Sequence, residues 1–124
     1  MITVEWKGKA VSVNRWHVVR KGRIYPSNEY ESFIDDLAKT VMAFCRRKLT
    51  RPDVLIVTTV GKMFDHHNLT KPILDALQRG GALENDRDVG KITLMPPARH
   101  KRGELDEIRI YMLEADPPRV GHRV

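Results

Sequence analysis

The chain has 124 residues, which suits one compact domain and leaves little room for a second. Hydrophobic residues make up 41% of it, enough for a single core, so a disordered chain is not expected. It has no bilayer-length apolar run and does not open like a signal peptide, so we expect a soluble, cytoplasmic protein without a membrane partner. The single cysteine, Cys45, lies in an apolar stretch, which argues against a disulfide and a cysteine-based zinc site.

The formal net charge of +6 favours a polyanionic partner, because basic side chains that neutralise phosphates release condensed counterions. The basic residues are clustered near the start, in the middle and late in the chain. An alternative is that the clusters are only solvated turns, so charge alone leaves phosphate binding open. The clusters contain Arg15, Arg20, Lys21 and Arg23, then Arg46, Arg47, Lys48 and Arg51, then Arg99, His100, Lys101 and Arg102.

The first elements in chain order are a strand, an irregular stretch and a helix. Residues 2–6 alternate apolar and polar side chains, which predicts a strand, whereas residues 7–23 favour an excursion or hairpin. A helix is predicted to begin near Ser27 or Asn28, with Glu31 at capping-box spacing from Asn28. The basic residues 46–48 are expected in its last turn, where they complement the helix dipole. Its apolar face is predicted to contain Tyr30, Phe33, Ile34, Leu37, Val41, Phe44 and Cys45.

The second half of the chain predicts three strands and one more helix. Residues 53–60 are β-branched and predict a central strand, and a helix follows over about residues 68–79 with Pro72 in its first turn. Strands are expected at 89–95 and 105–113, joined by a long basic hairpin loop over 96–103. The predicted fold is α+β (mixed α/β), one domain over residues 1–115 with a mixed sheet of about four strands and two main helices. Residues 116–124 are expected to form a tail.

The segment after the central strand contains the candidate chemistry. Asp65 follows the strand end, where α/β architectures expose functional side chains. Helical spacing turns Asn68, Lys71 and Asp75 in one direction, although a helix start delayed by Pro72 would displace Asn68. Asp86 follows a glycine turn, and pairing of the next strand beside residues 53–60 is expected to bring it near Asp65.

These residue types suit metal-assisted phosphodiester hydrolysis. Two or three oxygen ligands with open water positions fit Mg²⁺ or Mn²⁺, and Lys71 can stabilise the transition state. The alternatives are that Asp86 and Asp88 are turn residues, that Asp75 pairs with Lys71 or Arg79, and that Asn68 is a helix cap. The adjacent His66 and His67 are expected to point in opposite directions, which argues against a zinc site.

The same residues resemble the motif of the RusA family of Holliday-junction resolvases. That motif is an Asp-x-Asp-Asn-x-x-Lys-x-x-x-Asp-Ala-Leu run followed by a glycine turn and an Asp-Asp pair. The matching residues here are Asp65, Asn68, Lys71, Asp75-Ala76-Leu77, Gly80-Gly81 and Asp86. The stretch from Val11 to Trp16 is similar to the N-terminal loop of the family, and Arg23 to Tyr30 to the region of its first helix.

The resemblance implies Asp65, Lys71 and Asp86 as catalytic residues and positions 65, 67 and 86 as metal ligands, with Asp75 in a supporting role. This chain departs from the motif at His67 and Asn85, which stand where the family has aspartates. Imidazole suits Mn²⁺ or a later transition metal better than Mg²⁺. Binding of DNA is therefore better supported than cleavage.

The implied function is metal-dependent resolution of four-way branched DNA, the Holliday junction, by a homodimer in recombination and repair. One alternative is a non-catalytic or weakened junction-binding module that has lost a metal ligand at His67, and another is an unrelated basic structural protein. The residues expected to contact DNA are Asn14, Arg15, Arg20, Lys21, Arg23, Asn68, Lys71, Arg99, Lys101 and Arg102.

Overall fold

A computed structural model describes residues 1–12, 17–62 and 64–114, with the backbone alone described at 17–20 and 23–26. The predicted tail lies outside these residues. Two helices, α1 and α2, and seven strands occur in the described chain, together with two short 3₁₀ helices, His66–Leu69 and Asp86–Asp88. The elements are β1 (Ile2–Gly8), β2 (His17–Arg20), β3 (Arg23–Pro26), α1 (Asn28–Phe44), β4 (Pro52–Gly61), α2 (Thr70–Arg79), β5 (Ile92–Leu94), β6 (Ala98–His100) and β7 (Asp106–Glu114).

Five of the strands form a mixed sheet, which confirms the predicted fold class. Strand β7 lies between β1 and β4 and is antiparallel to both. Strands β5 and β6 follow one another along the other edge of β4 and are parallel to it, with Ile92 beside Val54 and Ala98 beside Thr59. Strands β2 and β3 pair separately as a two-stranded antiparallel sheet. Strand β2 lies within the stretch 7–23 predicted as an excursion or hairpin, and β3 begins at the last residue of that stretch.

The central position of β4 is confirmed, but the predicted connection between the last strands is wrong. Residues 98–100 form β6 instead of remaining in a loop, because β4 continues past β5 and offers unpaired backbone groups there. Strand β5 is shorter than the predicted 89–95. Strands β5 and β7 also do not form a hairpin, since they lie on opposite edges of β4.

Helix α1 begins one residue after its cap, Ser27, whose hydroxyl accepts a hydrogen bond from the Tyr30 backbone N–H at 3.1 Å. The predicted capping box on Asn28 is therefore wrong, because Asn28 is already helical. The helix ends at Phe44, and Cys45 takes an extended conformation in which its side chain is buried. Residues 46–48 consequently lie beyond the helix, contrary to the prediction, and Phe44 is exposed instead of facing the core.

The core lies between the sheet and the two helices. Alternate residues of β4 and β7 are buried, including Ile56 and Ile110 at 0% exposure. Helix α2 packs on α1, and Pro72 occupies its first turn as predicted. A Cβ at Gly80 would lie 2.7 Å from the Ala38 carbonyl oxygen, so glycine permits this close approach of the helices. Gly81, with φ of 85°, then ends the helical conformation.

In the described part of the chain, no helix is both long and apolar enough to cross a membrane.

Candidate functional site

The direction of the chain after β4 is set by a helix cap at Asp65. Its carboxylate Oδ1 accepts a hydrogen bond from the His67 backbone N–H at 3.1 Å and begins the 3₁₀ helix His66–Leu69. Leu69 is fully buried and anchors that short helix in the core, and α2 follows at Thr70. The α-helix predicted to begin near residue 68 therefore begins at Thr70, after the 3₁₀ helix, as expected if Pro72 delays its start.

A surface cavity of about 350 Å³ lies beside the start of α2. Asp86 lines it together with His67, Asn68 and Lys71, and the remaining lining residues are Thr70 and Leu74. Asp65 adjoins this wall, because its Oδ2 accepts a hydrogen bond from Asn68 Nδ2 at 3.0 Å. Two separate segments of the sequence thus bring carboxylate, amide, imidazole and ammonium groups to one cavity.

Asp86 reaches the cavity by a route different from the predicted one. The parallel register places the start of β5 beside the start of β4, at the end of β4 opposite to Asp65. Strand pairing alone would therefore not bring the two aspartates together. The 3₁₀ helix Asp86–Asp88 instead contacts α2, since the chain folds back along that helix after the Gly80-Gly81 turn.

The histidine pair differs most from the sequence prediction. The ring centroids of His66 and His67 are 4.1 Å apart, although the two rings were expected to point in opposite directions. That expectation assumed an extended backbone, whereas successive side chains of a 3₁₀ helix are about 120° apart. One potential ligand atom each from Asp65, His66 and His67 lies within 4.8 Å of the other two. These three residues form a candidate metal cluster, which includes His66, although the sequence argued against a zinc site at the two histidines. The cluster does not include Asp86, the third ligand predicted from the resemblance.

His66 and His67 have different environments. His66 is only 9% exposed, whereas His67 is open to solvent. Burial lowers the pKa of His66, and the neighbouring His67 and Arg99 lower it further, while Asp65 acts in the opposite direction. A lowered pKa favours the neutral imidazole, which is the protonation state that can donate a lone pair to a cation.

Asp75 links the two helices. Its Oδ2 accepts a hydrogen bond from the Tyr30 hydroxyl of α1 at 3.3 Å and lies 3.4 Å from Lys71 Nζ. Burial and the nearby Asp75 keep the pKa of Tyr30 well above its usual range, so this hydroxyl stays a donor. Of the two predicted partners of Asp75, Lys71 is therefore confirmed, whereas Arg79 pairs with Glu31 and Asp35 on α1.

Arg99, predicted as a DNA contact, also holds the backbone that leads into the site. Its Nη1 donates to the carbonyl oxygens of Gly61 and Phe64, both at 2.8 Å. These carbonyls belong to the connection between β4 and Asp65. The sequence contained no local signal for this role, because the two partners lie 38 and 35 residues away.

The other residues predicted to contact DNA are dispersed. Lys21 is exposed in the turn between β2 and β3, and Lys101 and Arg102 are exposed after β6. Asn14 and Arg15 lie outside the described residues, as do the side chains of Arg20 and Arg23.

Two comparisons with known proteins found no relative of the chain. No family model matches the chain, and a search of the curated proteins finds no match.

Proposed function

We propose that the protein is a metal-dependent endonuclease that resolves four-way DNA junctions in recombination and repair. The observation that supports this most strongly is the convergence of His67, Asn68 and Lys71 with the distant Asp86 on one cavity, beside Asp65. These are the positions that the resemblance to the RusA resolvases singles out. Spacing along the chain does not by itself require Asp86 to line the same cavity as His67, Asn68 and Lys71.

The donor set fits a divalent cation. Asp65 and His67 would supply a carboxylate and an imidazole whose donor atoms lie within 4.8 Å of each other, and Asp86 would add a carboxylate from the cavity wall, outside the cluster that these two residues form with His66. This mixture suits Mn²⁺ better than Mg²⁺. A bound ion would lower the pKa of a water molecule and neutralise charge on the scissile phosphate. Lys71 places its ammonium on the cavity wall, where it can bind a phosphate oxygen and stabilise developing negative charge.

Asp75 and Asn68 act as positioning residues in this proposal. Asp75 is held by Tyr30 and in turn attracts Lys71, which limits the directions available to that ammonium group. Asn68 holds the Asp65 carboxylate from the cavity side. Partners of this kind orient the groups that contact the ion and the phosphate.

The proposed substrate is branched DNA and the proposed assembly is a homodimer. The net charge of +6 favours binding to the phosphate backbone, with exposed contacts at Lys21, Lys101 and Arg102. A two-fold symmetric pair of sites matches the approximate symmetry of a four-way junction and allows opposing strands to be nicked.

A cleavage assay on a synthetic four-way junction tests the proposal, with Mg²⁺ and Mn²⁺ compared at equal concentration. We expect paired nicks in opposing strands and greater activity with Mn²⁺. A linear duplex of the same sequence is the control for branch specificity. Cleavage of neither substrate with either ion would overturn the enzymatic proposal.

The second candidate is a protein that binds junctions without cutting them. The observation in its favour is that position 67 supplies an imidazole instead of a carboxylate, which reduces the negative charge available to hold a cation. Binding of the four-way junction without cleavage, weakening steeply as salt is added, would favour this candidate.

A further inference from the structure

We propose that Asp65, His66 and His67 bind one divalent ion of the zinc, cobalt and nickel class. The ion would take one carboxylate oxygen and one nitrogen from each imidazole. The proposal differs from the nuclease site above in its essential ligand, His66, and in the kind of ion. It does not rest on nuclease activity, because an ion can bind there whether or not DNA is cut.

The geometry of the three ligand atoms is close to that of a bound site. Each lies within 4.8 Å of the other two. Ligands held at about 2.1 Å from one ion can be at most about 4.2 Å apart, so small side-chain rotations complete the site. The adjacent ring centroids, 4.1 Å apart, show that both imidazoles already occupy the same side of the 3₁₀ helix.

His66 is the ligand that distinguishes this cluster from the proposed nuclease site. It is only 9% exposed, and among the described residues neither of its ring nitrogens makes a hydrogen bond. In the described chain the one buried side-chain polar atom without a partner is the Thr58 hydroxyl, so the nitrogens of His66 are accessible to an ion. One of them lies within 4.8 Å of an Asp65 oxygen and a His67 nitrogen, so a single cation between the three could bind all of them.

Asp65 is already oriented for this role. Oδ1 accepts from the His67 backbone N–H and Oδ2 from Asn68 Nδ2, so the carboxylate is held at both oxygens. Each oxygen retains a second lone pair that can bind a cation. Hydrogen bonds from neighbouring groups are the usual means by which proteins fix metal ligands before the ion arrives.

The donor atoms select the kind of ion. Two imidazole nitrogens and one carboxylate suit borderline ions such as Zn²⁺, Co²⁺ and Ni²⁺, whereas Mg²⁺ prefers oxygen ligands and octahedral geometry. Three protein ligands also leave a position for water, as in zinc sites that are open to solvent. Asp65 and His67 are shared with the proposed nuclease site, so the two kinds of ion would compete.

Metal titration without DNA tests this inference. The full chain, stripped with a chelator and free of any affinity tag, is titrated with Zn²⁺ by calorimetry and with Co²⁺ by visible absorption. We expect one ion per chain, with Zn²⁺ bound more tightly than Mg²⁺. His66→Gln and, separately, His67→Gln should each weaken Zn²⁺ binding roughly tenfold or more. His100→Gln is the matched control and should leave it unchanged.

Circular dichroism of each variant separates loss of a ligand from loss of the fold. Because His67 is exposed, His67→Gln keeps the test decisive even if His66→Gln fails to fold. The inference is overturned if the wild type binds no Zn²⁺, or if a folded His66→Gln variant binds it as tightly as the wild type does. A protein that binds Zn²⁺ but cuts no junction would overturn the nuclease proposal and leave this one standing.

Discussion

Two histidine–aspartate groups within residues 1–12, 17–62 and 64–114 lie in contrasting environments. In one, His100 Nε2 lies 2.6 Å from Asp106 Oδ1, and its Nδ1 lies 2.8 Å from the Lys101 carbonyl oxygen. The second oxygen of Asp106 accepts the Ala10 backbone N–H at 2.9 Å. In the other, the rings of His66 and His67 lie beside Asp65 at an angle of 40° to each other and make no hydrogen bond through their nitrogens within the described chain.

The difference in hydrogen bonding indicates that His100 and Asp106 form a structural pair, whereas Asp65, His66 and His67 form a candidate ligand cluster. His100 and Asp106 use their polar atoms to join the ends of β6 and β7 to the segment after β1, so both are expected to serve stability. The nitrogens of His66 and His67 are free for a ligand, which leaves those two residues to serve binding. Substitution of His100 should therefore lower stability and leave activity unchanged, whereas substitution of His66 or His67 should mainly change metal binding.

The largest effect is expected for Asp86→Asn, which removes a proposed metal ligand. A metal ion supplies several kcal/mol of transition-state stabilisation, and about 1.4 kcal/mol corresponds to a factor of ten, so junction cleavage should fall about 100-fold or more. Binding of the junction should stay equal or become tighter, because a negative charge near phosphate is removed. Cleavage kinetics and gel-shift titration on the same four-way junction measure the two effects.

Asp88→Asn is the control for that substitution. It makes the same change of charge in the same 3₁₀ helix, but Asp88 is not among the residues that line the cavity. Its cleavage rate should match the wild type. A parallel loss of binding and cleavage in Asp86→Asn would indicate a structural role for Asp86 instead.

His67→Asp should change the preferred ion. An added carboxylate restores an oxygen donor and a negative charge, both of which Mg²⁺ favours. We expect Mg²⁺-dependent cleavage to rise roughly tenfold, while Zn²⁺ binding measured without DNA becomes weaker. If the wild type already cuts well with Mg²⁺ and the aspartate changes nothing, His67 does not contact the catalytic ion.

His100→Gln should reduce stability in a way that depends on pH. The hydrogen bond to Asp106, followed by that to the Lys101 carbonyl, raises the pKa of His100 above its ordinary value of 6.5. Protonated His100 therefore stabilises the fold fully below the pKa of the unfolded chain, and this contribution is lost as pH rises through the folded pKa. The melting-temperature difference between wild type and variant should be larger near about pH 5.5 than near about pH 8.5.

The same variant also tests the contrast between the two groups. Junction cleavage and Zn²⁺ binding by folded His100→Gln should match the wild type, because His100 does not line the cavity beside α2. A variant that lost activity while keeping its fold would show that the two groups are coupled, and the contact to test next would be that of the neighbouring Arg99.

Regular periodicity explains which parts of the fold were predictable. The apolar spacing of α1, the β-branched run of β4 and the position of Pro72 in α2 each follow from local sequence. Strand β6 does not, because Ala98-Arg99-His100 has no apolar alternation and pairs only where β4 offers a free edge. The sequence allowed either Ser27 or Asn28 as the N-cap of α1, and the backbone conformation shows that the cap is Ser27.

The candidate site was predictable to the extent that a motif fixes residue types. The grouping of Asn68 and Lys71 with Asp86 was expected, but the path that brings Asp86 there was not. The sequence argued against a metal site at His66 and His67 because an extended backbone was assumed, whereas the short 3₁₀ helix changes the directions of successive side chains. The role of Arg99 depends on contacts between segments far apart in sequence, which composition and spacing do not encode.

The smallest predicted effect concerns a third polar group, the Thr58 hydroxyl of β4. Thr58 is 1% exposed, and its Oγ1 is a buried atom with no hydrogen-bond partner in the described part of the chain. Unlike His66, it faces the core and is not a residue of the cavity or the metal cluster. An unpaired buried hydroxyl without a ligand only costs stability.

Thr58→Val keeps the β-branched shape and removes that hydroxyl, so we expect the protein to gain about 1 kcal/mol of stability with no change in cleavage. Thr59→Val is the matched control, since Thr59 is the adjacent residue on the opposite face of β4 and is partly exposed. Urea unfolding of both variants measures the free energies. A loss of stability in Thr58→Val would show instead that the hydroxyl has a hydrogen-bond partner in solution.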